Sequence, residues 1–141
     1  MVRAGIPVVG HIGLLPQRVQ ALGGYKVTGK NDDSERQLLE DAQKIADAGA
    51  CAVVLECVTC EVAKKITETI SIPTIGIGSG TDCSGQVQVI TDLLGLGGDF
   101  IPKHAKRYVD IASIIKDSLT TFANDVNTGA FPTEENTFHK W

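Results

Sequence analysis

The sequence contains no apolar run approaching the roughly 20 residues that a bilayer-spanning helix requires. It has no large excess of either charge: 13 Lys and Arg stand against 17 Asp and Glu, a formal net charge of −4. That balance excludes the broad basic surface by which nucleic acid or an anionic membrane is drawn. The opening residues, Met1-Val2-Arg3-Ala4-Gly5, lack the apolar segment of a secretory signal and do not read as a transit peptide. A soluble, cytoplasmic protein is the plain expectation. Cys57-Val58-Thr59-Cys60 has the C-x-x-C spacing, but no second such pair and no histidines at ligand spacing complete a closed zinc site. A small redox protein using Cys57 and Cys60 stays open as an alternative.

What is present suffices for one domain with a real core: 141 residues, 43% of them hydrophobic. The chain is organised around Ala52-Val53-Val54-Leu55-Glu56-Cys57, a short apolar run ending in a carboxylate. Such a run, bounded by turn signals, reads as a strand buried on both faces. A carboxylate at the C-terminal end of a parallel strand stands where α/β folds place their chemistry. The plain alternative for Glu56 is a solvated strand-end side chain.

Ile6-Pro7-Val8-Val9-Gly10-His11-Ile12-Gly13 has the same form, with Pro7 confined to the strand's beginning and His11 set between glycines. A lone histidine is more often structural, yet flanking glycines let backbone or ligand come close. Residues 14–30 read as a loop, with one helical turn opening at Pro16-Gln17-Arg18-Val19 and a glycine-punctuated stretch from Gly23 to Gly29. Ser34-Glu35-Arg36-Gln37 reads as a capping box opening a helix whose apolar positions are Leu38, Leu39, Ala42, Ile45 and Ala46, with Gly49 as its stop. A second helix is expected from about Glu61 to Ile70.

Ile72-Pro73-Thr74-Ile75-Gly76-Ile77-Gly78-Ser79-Gly80 repeats the strand-to-small-residue pattern. Its alternating glycines are not a dinucleotide fingerprint, which needs G-x-G-x-x-G opening a helix. They mean that something packs or binds close to the backbone. Asp82 or Ser84 is positioned to cap a further helix carrying Val87, Ile90, Leu93 and Leu94, with a strand over Val87–Ile90 as the competitor. Phe100-Ile101-Pro102 reads as a short strand, and the spacing of Tyr108, Ile111, Ala112, Ile115, Leu119, Phe122 and Val126 predicts a long C-terminal helix from Ala105 to about Val126. Residues 129–141 form a tail with few core residues. Strand–helix alternation gives an α/β fold with parallel strands. Three clear βα units and a weaker fourth make half of a (β/α)8 barrel, whose usual size is about 250 residues; a small doubly wound sheet fits the same count.

Gly10-His11-Ile12-Gly13-Leu14, Gly23-Gly24-Tyr25-Lys26-Val27, Val54-Leu55-Glu56-Cys57, Ile75-Gly76-Ile77-Gly78-Ser79-Gly80, Ser84-Gly85-Gln86 and the ending Phe131-Pro132…Phe138 together resemble the ketopantoate hydroxymethyltransferase (3-methyl-2-oxobutanoate hydroxymethyltransferase) family. The resemblance runs in order through essentially the whole chain. It implies the C-terminal half of a TIM-type barrel over 1–128, with 129–141 as a tail. It implies transfer of a one-carbon unit from 5,10-methylenetetrahydrofolate to a keto acid, through an enolate stabilised by Mg²⁺. By the same resemblance Glu56 matches the base, His11 an active-site histidine hydrogen-bonding the substrate, and Gly76, Gly78 and Ser79 the lining of the barrel mouth. The family's acidic Mg²⁺ ligands, and the lysine and serine that help hold the keto acid, belong to an N-terminal half. No residue of this chain matches them, so none is assigned to metal. The expected partners are the keto acid, the folate, and either a complementary N-terminal half or a second copy in a homo-oligomer. An inactive assembly remnant of the family is the alternative.

Overall fold

The computed structural model describes residues 1–18, 26–98 and 100–140. Val19, the Gly23-Gly24-Tyr25 part of the glycine-punctuated loop, and Trp141 of the tail lie outside them. The chain divides into two compact units, Met1–Gln88 and Val89–Trp141.

The first unit runs β1 (Val9–Gly13), α1 (Asp32–Asp47), β2 (Ala52–Glu56), α2 (Cys60–Thr69), β3 (Thr74–Ile77) and β4 (Gly85–Gln86). The strands lie in the order β1-β2-β3-β4, all parallel. A doubly wound sheet reverses its order at a switch point and carries helices on both faces. Here the order never reverses, and α1 and α2 pack on one face only, which is consistent with part of a TIM-type barrel.

The core forms on that helix-covered face. Val53 and Leu55 of β2 are wholly buried among Ile12, Leu38, Ala42, Val62, Ala63 and Ile66. Side chains alternate along a strand, so Val54 and Glu56 point the other way, and they are only half-buried. The expectation of burial on both faces is therefore corrected: one face of β2 is sealed, and among the described residues no layer of the first unit covers the other.

Four local readings also change. The cap of α1 is Asn31, whose side chain accepts from the Ser34 N–H, while Ser34 Oγ accepts from the Gly29 N–H. The Ser34 capping box is unused, and Gln37 donates to Asp41 instead. Asn caps as well as Ser does, and the earlier start puts Asp32, Asp33 and Glu35 in the first turn, against the positive helix end. At the far end Gly49, at φ 85°, follows the helix as expected. No helix starts at Asp82 or Ser84. Ser84 exchanges hydrogen bonds with Thr74 (Thr74 N to Ser84 Oγ, 3.2 Å; Ser84 N to Thr74 Oγ1, 3.1 Å), which draws the chain alongside β3 as β4.

In the second unit the helix carrying Leu93 and Leu94 is only α3 (Ile90–Leu94). Phe100–Pro102 is not a strand. The last helix, α4 (Ile111–Thr128), begins well after Ala105, because Asp110 accepts from the Ser113 N–H as its cap. Tyr108 lies before the helix, with its N–H donated to the Leu93 carbonyl. The apolar positions Ile115, Leu119, Phe122 and Val126 of α4 are exposed, and Phe122 meets Phe131 edge-on. Among the described residues no helix is long and apolar enough to cross a membrane.

Candidate active site

Register decides which polar residues meet. β1 and β2 pair with His11 opposite Val54 and Gly13 opposite Glu56. Paired residues of neighbouring strands point to the same side. His11 therefore shares the open face with Val54 and Glu56, diagonal to the carboxylate. The His11 Nε2 and Glu56 Oε2 atoms are 3.0 Å apart, with the side chains 33% and 14% exposed. Their approach is close in distance but not aligned as a hydrogen bond, and Nε2, itself shielded from water, makes none. An imidazole and a carboxylate thus face each other on the open side of the sheet.

The backbone behind Glu56 is fixed with unusual completeness. Glu56 O accepts from the Leu14 N–H at 2.8 Å, and the Cys57 N–H donates to Ile77 O at 2.9 Å. Cys57 O accepts from the Thr28 N–H at 2.9 Å, and the Thr59 N–H returns to Thr28 O at 3.0 Å. Thr28 is the residue the sequence reading passed over; a lone threonine in a loop carries no signal of such a role.

Ser79 is buried, and its hydroxyl donates to Leu55 O at 2.7 Å while accepting from the Val58 N–H at 3.1 Å. Gly78, at φ 68°, lies just past β3. Gly76 pairs with Leu55 and so belongs to the helix-covered side of the sheet. A Cβ there would come within 3.0 Å of both Cys83 Sγ and Gln86 Oε1. Of the five candidate residues, the strands bring His11 and Glu56 together; Ser79 stands behind Glu56, and Gly76 faces away from it.

The cysteines do not support the redox alternative. Burial, and secondarily the Glu56 charge, push the Cys57 thiol above its ordinary range, opposite to what an attacking thiolate needs. Cys60 opens α2 at the surface and helps hold the Glu61 carboxyl below its usual range, after that residue's own backbone N–H. Among the described residues no three His, Cys, Asp or Glu side chains gather as a metal site. A cleft of about 420 Å³, lined by His11, Gly13, Leu15 and by Asp41 and Lys44 of α1, opens beside β1.

A family model described as ketopantoate hydroxymethyltransferase matches residues 1–134. Among curated relatives, the 3-methyl-2-oxobutanoate hydroxymethyltransferase of Carboxydothermus hydrogenoformans is 54% identical over 138 residues, covering 98% of this chain and 50% of its own length. The protein of that name from Clostridioides difficile is 51% identical, with the same coverage. The one from Chloroflexus aggregans is 55% identical over 135 residues, 96% of this chain and 48% of its own. The chain thus spans about half the length of the curated relatives it matches.

Proposed function

The chain belongs to the ketopantoate hydroxymethyltransferase family, and from that premise we propose that it carries the proton-abstracting part of a 3-methyl-2-oxobutanoate hydroxymethyltransferase of pantothenate biosynthesis. In the proposed reaction 5,10-methylenetetrahydrofolate, water and the keto acid give 2-dehydropantoate and tetrahydrofolate. The observation that carries the reading is the meeting of Glu56 and His11 on the open face of a parallel sheet, with Glu56 at a strand's C-terminal end.

The chemical difficulty is the weakly acidic proton on C3, next to the ketone. Glu56 takes it: a bond forms between a carboxylate oxygen and the proton, and the C–H electron pair passes into the enolate. The enolate carbon then bonds to the donor's methylene carbon as one of its C–N bonds breaks, and the proton held by Glu56 passes to the nitrogen released; water displaces the second nitrogen, leaving its hydroxyl on the carbon and its other proton on tetrahydrofolate. His11 contributes a hydrogen bond to a substrate oxygen, which also keeps the reacting carbon near Glu56. The described residues do not fit a metal site, so no step is assigned to Mg²⁺ here. We place its ligands in the half of the relatives' length that this chain does not span. The barrel's remaining strands come from a complementary N-terminal half or from a second copy of the chain.

Deuterium exchange at C3 of 3-methyl-2-oxobutanoate, followed by NMR in D₂O with Mg²⁺, tests the reading. Exchange is expected when the chain is combined with the N-terminal half of a relative, and is lost in Glu56→Gln. Undiminished exchange in Glu56→Gln would overturn the assignment of the base. No exchange with the wild-type halves combined would leave an assembly remnant as the better reading.

A further inference from the structure

Cys57 is the only non-glycine among the described residues with a positive φ, 52°. L-residues with a side chain rarely adopt the left-handed region, and when they do so beside a functional group the surrounding structure has to enforce it. Hydrogen bonds from neighbouring segments enforce it. Its N–H goes to Ile77 O, and its carbonyl accepts from the Thr28 N–H. One buried hydroxyl spans the kink, since Ser79 Oγ donates to Leu55 O, before Glu56, and accepts from the Val58 N–H of the peptide that follows Cys57. Val58 then pairs with Thr28 in a parallel bridge. The kink is thus gripped from β3, from the residue 28 segment and from Ser79, immediately after the last residue of β2.

We propose that Cys57 is a positioning residue: its left-handed backbone turn ends β2 at Glu56 and holds that carboxylate against His11. Without the turn the strand would run on, and Cys57 and Val58 would alternate as ordinary strand residues. With it, the chain leaves the sheet one residue past the carboxylate and enters α2 at Cys60. The consequence is that the backbone conformation at position 57 governs the alignment of the pair, and that residues at ease with positive φ can replace cysteine there.

The inference rests on reading Glu56 as the base, but its test does not. In protein assembled from both halves and labelled with ¹³C-histidine, the His11 ring Cε1–Hε1 peak is recorded at one fixed pH. Glu56→Gln defines the peak position when the neighbouring carboxylate is gone. Cys57→Gly and Cys57→Asn tolerate positive φ and are expected to leave the peak in place. Cys57→Val, β-branched and disfavoured there, is expected to move it toward the Glu56→Gln position and to slow C3 exchange on the order of 10²-fold through misplacement. Should the valine variant fail to fold, Cys57→Ala supplies the milder break and is expected to move the peak in the same direction. An unmoved peak in a folded valine or alanine variant overturns the proposal. Equal movement in the glycine and asparagine variants also overturns it, assigning the effect to the thiol. Wild-type protein that shows no exchange sinks the reading of Glu56 as a base, while the His11 peak still judges the kink.

Discussion

Val53 and Leu55 leave β2 on one side, Val54 and Glu56 on the other, and the two pairs have opposite fates. The first pair is sealed under α1 and α2 with no exposed surface. The second stays half-open beside His11. Four consecutive residues, Val53 to Glu56, thus anchor a core on one side and present a carboxylate on the other. The sealed face makes the open one useful: a strand held by burial on one side has little freedom to shift its side chains on the other. Mutations should therefore separate the faces cleanly, one set changing stability and the other changing chemistry.

The largest expected effect is on the open face. Glu56→Gln should lower C3 exchange by roughly 10²-fold or more, the usual range for loss of a positioned base, while its denaturant midpoint stays near that of the wild type. A midpoint that falls as far as for a core truncation would erase the distinction between the faces. On the sealed face, Leu55→Ala should cost about 2–5 kcal/mol by urea unfolding, the sum of lost transfer energy and the cavity left behind. Ser79→Ala sits between the two faces. It leaves Leu55 O and the Val58 N–H without their shared partner, at about 1–3 kcal/mol, and should also disturb the His11 peak, which Leu55→Ala should not. The smallest effect belongs at the rim: Asn31→Ala should remove about 1 kcal/mol through loss of the α1 cap, with exchange unchanged. Exchange lost in Asn31→Ala would show that the site depends on α1 more directly than the geometry implies.

Much of the first unit was legible because its signals are local. The apolar runs around Val9, Val53 and Ile75 each read as a strand, and Leu38, Ala42 and Ile45 read as one helix face. A polar residue read as closing an apolar run marked both His11 and Glu56; Glu56 does end its strand, whereas β1 continues past His11 to Gly13. The misread places were contests between comparable local signals. Asn31 and Ser34 are both good caps, and the Gly29 N–H settled the matter by engaging the Ser34 hydroxyl. Ser84 had a helix to cap in principle, but Thr74 engaged it as a partner. The glycines at 76 and 78 read alike in sequence, whereas strand parity sends position 76 to the helix-covered side.

The residue order alone determined that parallel strands would alternate with helices, and that a histidine and a carboxylate would each arrive on a strand. It did so because side-chain period and helix caps are properties of neighbouring residues. Only the tertiary structure decided that the two would meet. That depended on Gly13 pairing with Glu56, and a slip of one residue would have turned one of them to the other face. The same is true of the turn at Cys57. No neighbour in sequence asks a cysteine for a positive φ; it is imposed by Ser79, Ile77 and Thr28, which reach position 57 only once the chain has folded.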